Sequence, residues 1–345
     1  MLFKTLLLAS TASATCMHGL SMAKRATDDT VKVGTFGYGP LNGAMNWASL
    51  SVANEACKTG KNQSPINIGT SPTVFHSSNP TPPNSSTLDA SIKLATSRPI
   101  LSIPEVASMD FLNLGTTIEV VVNGTTSFAG TDYRLVQFHM HTPSEHHISD
   151  EYYPLEIHMV HQGVADSSQL AVIALMFQVS ATKSSSIISS LSSSLPKIAT
   201  PGTKTPIAGG IDFSDVQAKL KSSDILQYAG SLTTPPCAEG VTFLIVKDPL
   251  DISVADFNAI KKIVKFNSRF IQNTLGAPNM MDVGAMAGTP NAYMPVNATV
   301  QNKAPAVSSV SPTSTASATS LLVTEIKGKP TYIPSIVVDR RKPKY

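Results

Sequence analysis

Short runs of alternating apolar and polar residues fill the middle of the chain, and this period of two is typical of β-strands. Gly, Pro, Asn and Ser separate the runs, as expected for turns. The pattern predicts strands over residues 117–122, 133–141, 154–161, 169–178 and 241–246. It predicts helices only over residues 184–195 and 253–266, the second opening at Ser253 with Asp256 three positions later, like a capping box. A mainly β fold follows.

Composition divides the chain into a leader, one domain and a tail. Residues 1–25 combine Lys4, an apolar run and the pair Lys24-Arg25, the layout of a signal peptide with a propeptide. Residues 30–300 carry the strand pattern of a single domain. Residues 301–345 turn to Ser, Thr, Ala and Pro without periodicity, a composition that cannot bury a core and predicts a disordered tail.

Charge and hydropathy limit the expected partners. The formal net charge is +3 over 345 residues, and Lys and Arg cluster only at the terminal Arg340 and Arg341, so no nucleic-acid surface is expected. No apolar run is long enough to span a membrane. Together with the leader, these features predict a secreted protein, with association with a cell wall left open. The oligomeric state stays open between monomer and homodimer.

The cysteines and the glycosylation tripeptides agree with export. Of three cysteines, Cys16 lies in the leader, which leaves Cys57 and Cys237 for the mature domain. In an exported protein such a pair predicts a disulfide. Four Asn-x-Ser/Thr tripeptides are candidate N-glycosylation sites: Asn62, Asn84, Asn123 and Asn297.

Six of the eight histidines lie between residues 139 and 161. Alternation along the predicted strand places His139 and His141 on one face, and in the next strand His158 shares a face with Glu156. If the two strands are neighbours, three imidazoles converge. Three neutral imidazoles with one open coordination position are typical of a catalytic zinc site, whereas a structural site is closed by a fourth protein ligand.

Two polar residues lie where they can accept hydrogen bonds from these imidazoles. Metal-bound imidazoles usually donate their second N–H to an acceptor that fixes the orientation of the ring. Gln137 and Glu156 precede His139 and His158 by two positions, on the same strand faces. A buried carboxylate such as Glu156 is least costly beside a cationic centre.

Three motifs together resemble the alpha carbonic anhydrases. They are QFHMHTPSEH at 137–146, EIHMVH at 156–161 and GSLTTPPC at 230–237, and the resemblance extends from about Phe36 to Val296 through Tyr38-Gly39, Trp47, QSPIN at 63–67 and LAV at 170–172. It implies a single domain built on a large twisted, mostly antiparallel sheet of about ten strands with short peripheral helices. It also implies reversible hydration of carbon dioxide to bicarbonate and a proton.

The resemblance assigns roles to residues by position. It makes His139, His141 and His158 the ligands of one Zn²⁺ per chain, and Gln137, Glu156 and His146 their hydrogen-bonding surroundings. Thr233 would accept a hydrogen bond from zinc-bound hydroxide and donate its own proton to Glu145. The pocket for carbon dioxide would be lined by Val160, Val172, Leu232, Thr234, Val241 and Phe243, the last in place of the Trp common in the family. Cys57 and Cys237 match the disulfide of exported members, and anions and sulfonamides are the inhibitors that the family implies.

Two positions depart from the family. The histidine that carries protons to buffer in many members is replaced by Thr116, whose hydroxyl cannot hold a proton near neutral pH. Glu119, or a water path through Tyr38, remains as an alternative carrier. An Arg and an Asn are common before a proline near the end of the domain, where residues 293–295 read Tyr-Met-Pro here, so some packing around the site is expected to differ.

Two other functions fit parts of the pattern. His139, His141 and Glu145 have the spacing of the cupin metal motif, typical of metal oxygenases, but the third histidine follows at a spacing that cupins do not have. The second alternative is an inactive domain of the same family that serves as a binding module. It is disfavoured because the three histidines, Glu145 and Thr233 are all present.

Overall fold

The structure is a computed structural model and describes residues 31–69 and 91–285. All of the described residues belong to one compact unit. The predicted leader and tail, Asn84 and Asn297 lie outside the described residues, so the domain boundaries stay predictions. Within the described ranges, no helix is long and apolar enough to cross a membrane.

Most of the regular structure is β. The strands are β1 (Asn67–Ile68), β2 (Lys93–Leu94), β3 (Ile100–Ser102), β4 (Ser108–Asn113), β5 (Ile118–Phe128), β6 (Thr131–His141), β7 (His147–Ile148), β8 (Leu155–Gly163), β9 (Leu170–Ser180), β10 (Lys204–Ala208), β11 (Ile225–Ser231) and β12 (Glu239–Ser253). Ten of them form one sheet in the order β10-β4-β5-β6-β8-β9-β12-β11-β2, with β3 paired to β5. All of its pairs are antiparallel except β9 with β12, and β1 pairs with β7 separately. The prediction of a mostly antiparallel sheet of about ten strands is confirmed.

The helices are short and peripheral, as predicted. They are α1 (Trp47–Leu50), α2 (Ala56–Thr59), α3 (Ser186–Ser192), α4 (Ser214–Ser222), α5 (Val254–Val264) and α6 (Met280–Ala285). The capping interaction at Ser253 is confirmed, because its hydroxyl accepts from the backbone N–H of Asp256 at 3.1 Å and donates to the Asp256 carboxylate at 2.9 Å. The predicted helix over 184–195 ends earlier, and a 3₁₀ turn follows at Leu195–Ile198. Pro196 lacks the N–H that a continuing helix would need.

The five predicted strands correspond to β5, β6, β8, β9 and β12, and most of them are longer than predicted. The largest difference is in β12, which continues to Ser253 beyond a register shift between Val246 and Leu250. The shift interrupts the alternation of apolar and polar residues, so the pattern ends there although the pairing with β9 resumes. Seven strands within the described ranges were not predicted. β1 to β3, β7 and β10 have two to five residues and carry too little periodicity, and the prediction also missed β4 and β11, which have six and seven residues.

Alternation along the central strands separates two faces of the sheet. Phe138 and Met140 of β6 join a large apolar core that includes Ile187 of α3, Val216 of α4 and Ile260 of α5. The helices therefore cover this face. The residues between them in sequence, including His139 and His141, lie on the other face, beside a second apolar cluster. The sheet thus holds its polar residues away from the helix-covered core.

One histidine of the cluster is buried apart from the others. His161 has an exposed fraction of 1%, and its Nδ1 donates to the carbonyl of Met159 at 2.8 Å. Its Nε2 then accepts from the Thr126 hydroxyl at 2.9 Å. Because burial disfavours the charged ring, the pKa of His161 is lowered to about 4. This imidazole is neutral in the folded protein at neutral pH.

His161 should make the protein less stable as the pH falls from 6.5 towards 4. In that range the unfolded chain binds a proton that folded His161 does not, so the free energy of unfolding decreases, by up to roughly 3 kcal/mol. We expect His161→Gln, which cannot take up that proton, to show a shallower loss. Urea denaturation of both proteins at about pH 7 and about pH 5 measures the difference. Equal losses in the two proteins would contradict the assignment.

Candidate metal centre

Three histidines on two neighbouring strands come together at the middle of the sheet. His139 of β6 is directly opposite His158 of β8, and His141 is opposite Glu156. The ring centroids of His139, His141 and His158 are 4.6 to 5.5 Å apart. One ring nitrogen from each residue lies within 4.8 Å of the other two. We call these residues the histidine trio, and none of them is more than 1% exposed.

Each imidazole of the trio is held through its outer nitrogen. His139 Nδ1 donates to Gln137 Oε1 at 2.9 Å, and His158 Nε2 donates to Glu156 Oε1 at 2.7 Å. His141 Nδ1 donates to the backbone carbonyl of Asn267 at 3.0 Å. Because one nitrogen of each ring is occupied in this way, the ring orientation and the tautomer are fixed.

The remaining nitrogens suit a zinc ion. They are Nε2 of His139, Nε2 of His141 and Nδ1 of His158, and His141 Nε2 is buried with no hydrogen-bond partner among the described residues. Burial, the largest influence, lowers the pKa of His141 and favours the neutral ring that a metal requires. Three converging imidazoles, with no fourth protein ligand grouped with them among the described residues, match the donor set of a catalytic zinc site.

Glu156 holds the surroundings of the trio together. Its Oε2 accepts the backbone N–H groups of Glu145 at 2.7 Å and His146 at 2.9 Å, while Oε1 accepts from His146 Nδ1 at 2.7 Å and from His158. Burial alone would raise the pKa of this carboxyl, but the charges and hydrogen bonds of His146 and His158 hold it well below its ordinary value. Glu156 is therefore a carboxylate at neutral pH.

His146 belongs to the support of the trio and does not face its centre. His146, Glu156 and His158 also bring three possible ligand atoms within 4.8 Å of one another, but these atoms are already hydrogen-bonded to each other. The other nitrogen of His146 lies 2.6 Å from the Tyr228 hydroxyl, which is 2.7 Å from Ser64 Oγ. These bonds extend the network from β8 to β11 and to the segment before β1.

Glu145 and Thr233 lie buried beside the trio. Glu145 Oε1 accepts the backbone N–H of Arg269 at 2.9 Å, and its Oε2 is 3.4 Å from His141 Nε2. Within the described ranges, neither Glu145 Oε2 nor the Thr233 hydroxyl has a hydrogen-bond partner. Buried polar atoms without partners are costly, so both are available to a group that enters the site.

Asn267 and Arg269, which follow α5, were not predicted from the sequence. The Asn267 side chain accepts from the backbone N–H of Thr142 at 2.7 Å and donates to the carbonyls of Thr116 and Met140 at 3.0 and 2.8 Å. These bonds hold the carbonyl that supports His141. Residues 293–295, where the resemblance placed a departure, lie outside the described residues.

Arg269 is a buried cation behind Glu145. Its guanidinium donates to the carbonyls of Ser64 at 2.7 Å and Cys57 at 3.2 Å and lies 5.7 Å from the centroid of the Trp47 ring. Burial lowers its pKa to about 10, against the attraction of Glu145, so the side chain stays charged at neutral pH. A signal that could have found it is the polar triplet Asn267-Ser268-Arg269 directly after an amphipathic helix.

An apolar cluster adjoins the trio on the same face of the sheet. Five of the predicted pocket residues belong to it, each no more than 2% exposed: Val160, Val172, Leu232, Val241 and Phe243. The Phe243 ring stacks on Tyr228 with centroids 5.1 Å apart and also lies 5.7 Å from the His158 ring. Thr234, the sixth, is 1% exposed next to Thr233.

The other predicted positions lie around this face. Thr116 is 6% exposed. The backbone at Gly34 packs closely against it, because a Cβ on Gly34 would lie 2.9 Å from the Thr116 methyl group. Cys57 and Cys237 form the predicted disulfide. Of the two sequons that the structure describes, Asn62 and Asn123 are both exposed.

Comparisons with known proteins agree with this geometry. A family model for eukaryotic-type carbonic anhydrases matches residues 42–278. A carbonic anhydrase of Pectobacterium atrosepticum is 31% identical over 248 residues, which cover 69% of this chain and 86% of that protein. The fungal alpha carbonic anhydrase of Aspergillus oryzae superposes with a TM-score of 0.64 at 36% identity, over 73% of this chain and 99% of that one. The alpha carbonic anhydrase of Thermovibrio ammonificans, solved in complex with the inhibitor sulfanilamide, gives a TM-score of 0.55 at 31% identity, over 69% and 95% of the chains.

Loss of the disulfide should destabilise the protein without changing the trio. The bond closes a loop across a sequence separation of 180 residues, and its removal should cost roughly 5 kcal/mol in the chain-entropy model. We expect the double variant Cys57→Ser/Cys237→Ser to unfold at lower urea concentration than the unreduced protein. Thiol titration of the native mature protein is expected to find neither cysteine free. Titration of both thiols without a reductant would contradict the bond.

Proposed function

The chain belongs to the eukaryotic-type, or alpha, carbonic anhydrase family, and from that membership we propose that its histidine trio holds one zinc ion and hydrates carbon dioxide with it. Carbonic anhydrase activity follows from the family itself. The observation that carries the assignment of the site is the convergence of three ring nitrogens within 4.8 Å, each on an imidazole whose other nitrogen is held by Gln137, Glu156 or the Asn267 carbonyl.

The metal and the chain contribute different parts of the reaction. Zinc at such a site lowers the pKa of a coordinated water to about 7 and so supplies hydroxide near neutral pH. The trio fixes the place where this happens, and the acceptors behind it hold each ring in one orientation, with its other nitrogen turned towards the centre. Because these acceptors are themselves held by several hydrogen bonds, the site is ordered before substrate enters.

Thr233 and Glu145 orient the nucleophile in this proposal. A Thr233 hydroxyl that donates its proton to Glu145 can only accept a hydrogen bond from a third group, so it selects an oxygen that carries a proton and turns its lone pair towards the substrate. The Arg269 backbone N–H, bound to the other oxygen of Glu145, supports the carboxylate in this role. Among the described residues the Thr233 hydroxyl and Glu145 Oε2 are buried without a hydrogen-bond partner, so the bond between them is part of the proposal and both atoms have the capacity to form it.

The apolar cluster is the proposed binding place of carbon dioxide. A wall of Val160, Val172, Leu232 and Val241 offers no hydrogen bond that water could use, whereas carbon dioxide is small and uncharged. Phe243 closes the wall and is held by its stack on Tyr228. Thr234 lies beside Thr233, where a polar substrate atom would arrive. Carbon dioxide would thus reach the nucleophile from the side of the apolar cluster.

Inhibitors and location are part of the same proposal. The Thermovibrio enzyme is solved with sulfanilamide, and we propose that sulfonamides and small anions also bind to this chain at the trio. Export would put the protein in an oxidising compartment, which fits the bond between Cys57 and Cys237. The exposed Asn62 and Asn123 are then candidates for glycan attachment.

The alternatives have less support. The fold and the relatives are those of alpha carbonic anhydrases, and neither favours a cupin oxygenase. An inactive binding module would have no need for three intact histidines with their supporting acceptors. A folded protein that takes up zinc and does not hydrate carbon dioxide would favour the binding module.

We expect the purified mature protein to contain one zinc per chain and to hydrate carbon dioxide. His158→Ala removes one ring nitrogen and leaves the Glu156 network one donor short, so zinc should fall well below one per chain. Activity should fall by several orders of magnitude, because water that is not bound to zinc is a far weaker acid and gives little hydroxide at neutral pH. Zinc content is measured by plasma emission spectrometry and the rate of carbon dioxide hydration by stopped-flow, both on the same sample.

The matched control is His147→Ala. His147 is half-buried in β7, directly after His146, and belongs to neither group of possible ligands. It should keep both zinc and activity, and circular dichroism should show that both variants are folded. A His158→Ala protein with full zinc and full activity would remove the proposed site.

Proton release should be slow because Thr116 occupies the position of the family's proton carrier. A threonine hydroxyl does not titrate near neutral pH, and loss of a general acid-base group commonly costs about 10²-fold in the step that it serves. We expect the turnover number to rise with the concentration of imidazole buffer, while kcat/KM for carbon dioxide stays nearly constant. Thr116→His should raise turnover at low buffer and flatten that dependence.

Thr116→Asn provides the control for size. It fills part of the same space under the N-terminal segment near Gly34 but cannot hold a proton near neutral pH. Its turnover should therefore depend on buffer as that of the natural protein does. A natural protein whose turnover is already high at low buffer would show that another group, such as Glu119 or a water path through Tyr38, carries the proton.

A further inference from the structure

A third buried carboxylate lies on the face of the histidine trio and takes no part in holding the metal or orienting the nucleophile. Glu119 of β5 is directly opposite His139 of β6 in the antiparallel register, and its exposed fraction is 0%. Its sequence neighbours Ile118 and Val120 belong to the helix-covered core, so alternation places Glu119 on the face of the trio. Side chains directly opposite in an antiparallel pair have Cβ atoms about 5 Å apart.

Glu119 differs from the two carboxylates used above. Glu145 and Glu156 accept backbone N–H groups, which fixes each of them in a supporting role. On its other side in the sheet, Glu119 is opposite the apolar Leu112 of β4. Within the sheet, the polar residue opposite Glu119 is therefore His139. A cationic centre at the trio would favour the ionised form of the Glu119 carboxylate.

We propose that Glu119 is a specificity residue that weakens the binding of small anions at the trio while leaving carbon dioxide unaffected. The inference rests on the proposed function, because it concerns what reaches the centre that the trio forms. The affected ligands are monovalent anions as a class. Bicarbonate belongs to this class as the product of the reaction, and thiocyanate is the anion used to test it.

The physical reason is the difference in charge between substrate and product. A fixed negative charge repels an anion through a buried environment, where water and salt screen the interaction less than at the surface. An uncharged substrate feels almost no such force. A carboxylate on this face therefore weakens the binding of anions and leaves the binding of uncharged carbon dioxide unchanged.

Thermodynamics limits the form of the effect. The ratio of kcat/KM for hydration to that for dehydration is fixed by the reaction equilibrium and does not change with a substitution. Weaker bicarbonate binding must then appear as a higher KM and a correspondingly higher kcat for dehydration, and as weaker product inhibition of hydration. A protein that works in a solution rich in anions gains from this arrangement.

The test compares Glu119→Gln with the natural protein in the zinc-loaded state. Glutamine keeps the size of the side chain and removes its charge. We expect thiocyanate to bind roughly 10-fold more tightly to the variant, the size of a repulsion between two unit charges several ångströms apart in a partly screened site. Isothermal titration calorimetry at fixed ionic strength measures the dissociation constant directly, and inhibition of carbon dioxide hydration should change by the same factor.

Three further variants separate charge from shape. Glu105→Gln neutralises a carboxylate outside the site and should leave thiocyanate binding unchanged. Glu119→Asp and Glu119→Asn have the same shape and differ in charge, so only the Asn variant should bind thiocyanate more tightly. This pair takes the place of Glu119→Gln if that variant does not fold. Equal affinities in the Asp and Asn variants, or an unchanged affinity in Glu119→Gln, would overturn the proposal.

Failure of the proposed function gives a different result. If the natural protein held no zinc and did not hydrate carbon dioxide, the assignment of the trio would fail before any anion was added. If the natural protein and Glu119→Gln both hold one zinc, both hydrate carbon dioxide and both bind thiocyanate equally, only the role of Glu119 is wrong.

Discussion

Burial of the Glu156 carboxylate at the centre of the sheet is the constraint on which the rest of the site depends. A carboxylate with 0% exposure is tolerable only if donors surround it, and Glu156 has four, from two backbone N–H groups and two imidazoles. Each of these donors also needs Glu156, because a buried N–H that loses its acceptor carries the full cost of desolvation. The turn that follows β6 and the ring of His158 therefore take the positions that this carboxylate allows.

The same requirement connects parts of the chain that are far apart in sequence. From Glu156 the bonds continue through His146 and Tyr228 to Ser64, whose carbonyl accepts from Arg269. The N-terminal segment has little regular structure of its own, yet it is fixed by these bonds, by the disulfide at Cys57 and by the contact of Trp47 with the Arg269 guanidinium. Order in this segment thus comes from these polar contacts together with the burial of Phe36 and Trp47 against the disulfide.

The sequence revealed the parts of this arrangement that depend on period. Alternation was enough to place His139, His141 and His158 on matching faces and to pair Gln137 and Glu156 with them, because a strand fixes the direction of each side chain. It could not reveal Asn267, which supports His141 through a backbone carbonyl that any residue possesses. Nor could it show that the segment after α5 returns to β6, since that contact joins residues 126 positions apart. The short strands at the sheet edge were missed for a related reason, because their pairing is decided by distant partners.

The two faces of the central strands place different demands on the sequence. On the helix-covered face, Phe138, Met140 and Ile157 need only fill space, and cores accept many apolar exchanges of similar volume. On the opposite face, each polar residue has named donors and acceptors, and a neighbour of similar size cannot replace it without leaving one of them unpaired. Since both faces belong to the same strands, packing on the first face sets the register that brings His139 opposite His158 on the second. The apolar residues, which have no chemistry of their own, therefore determine how closely the three ring nitrogens approach.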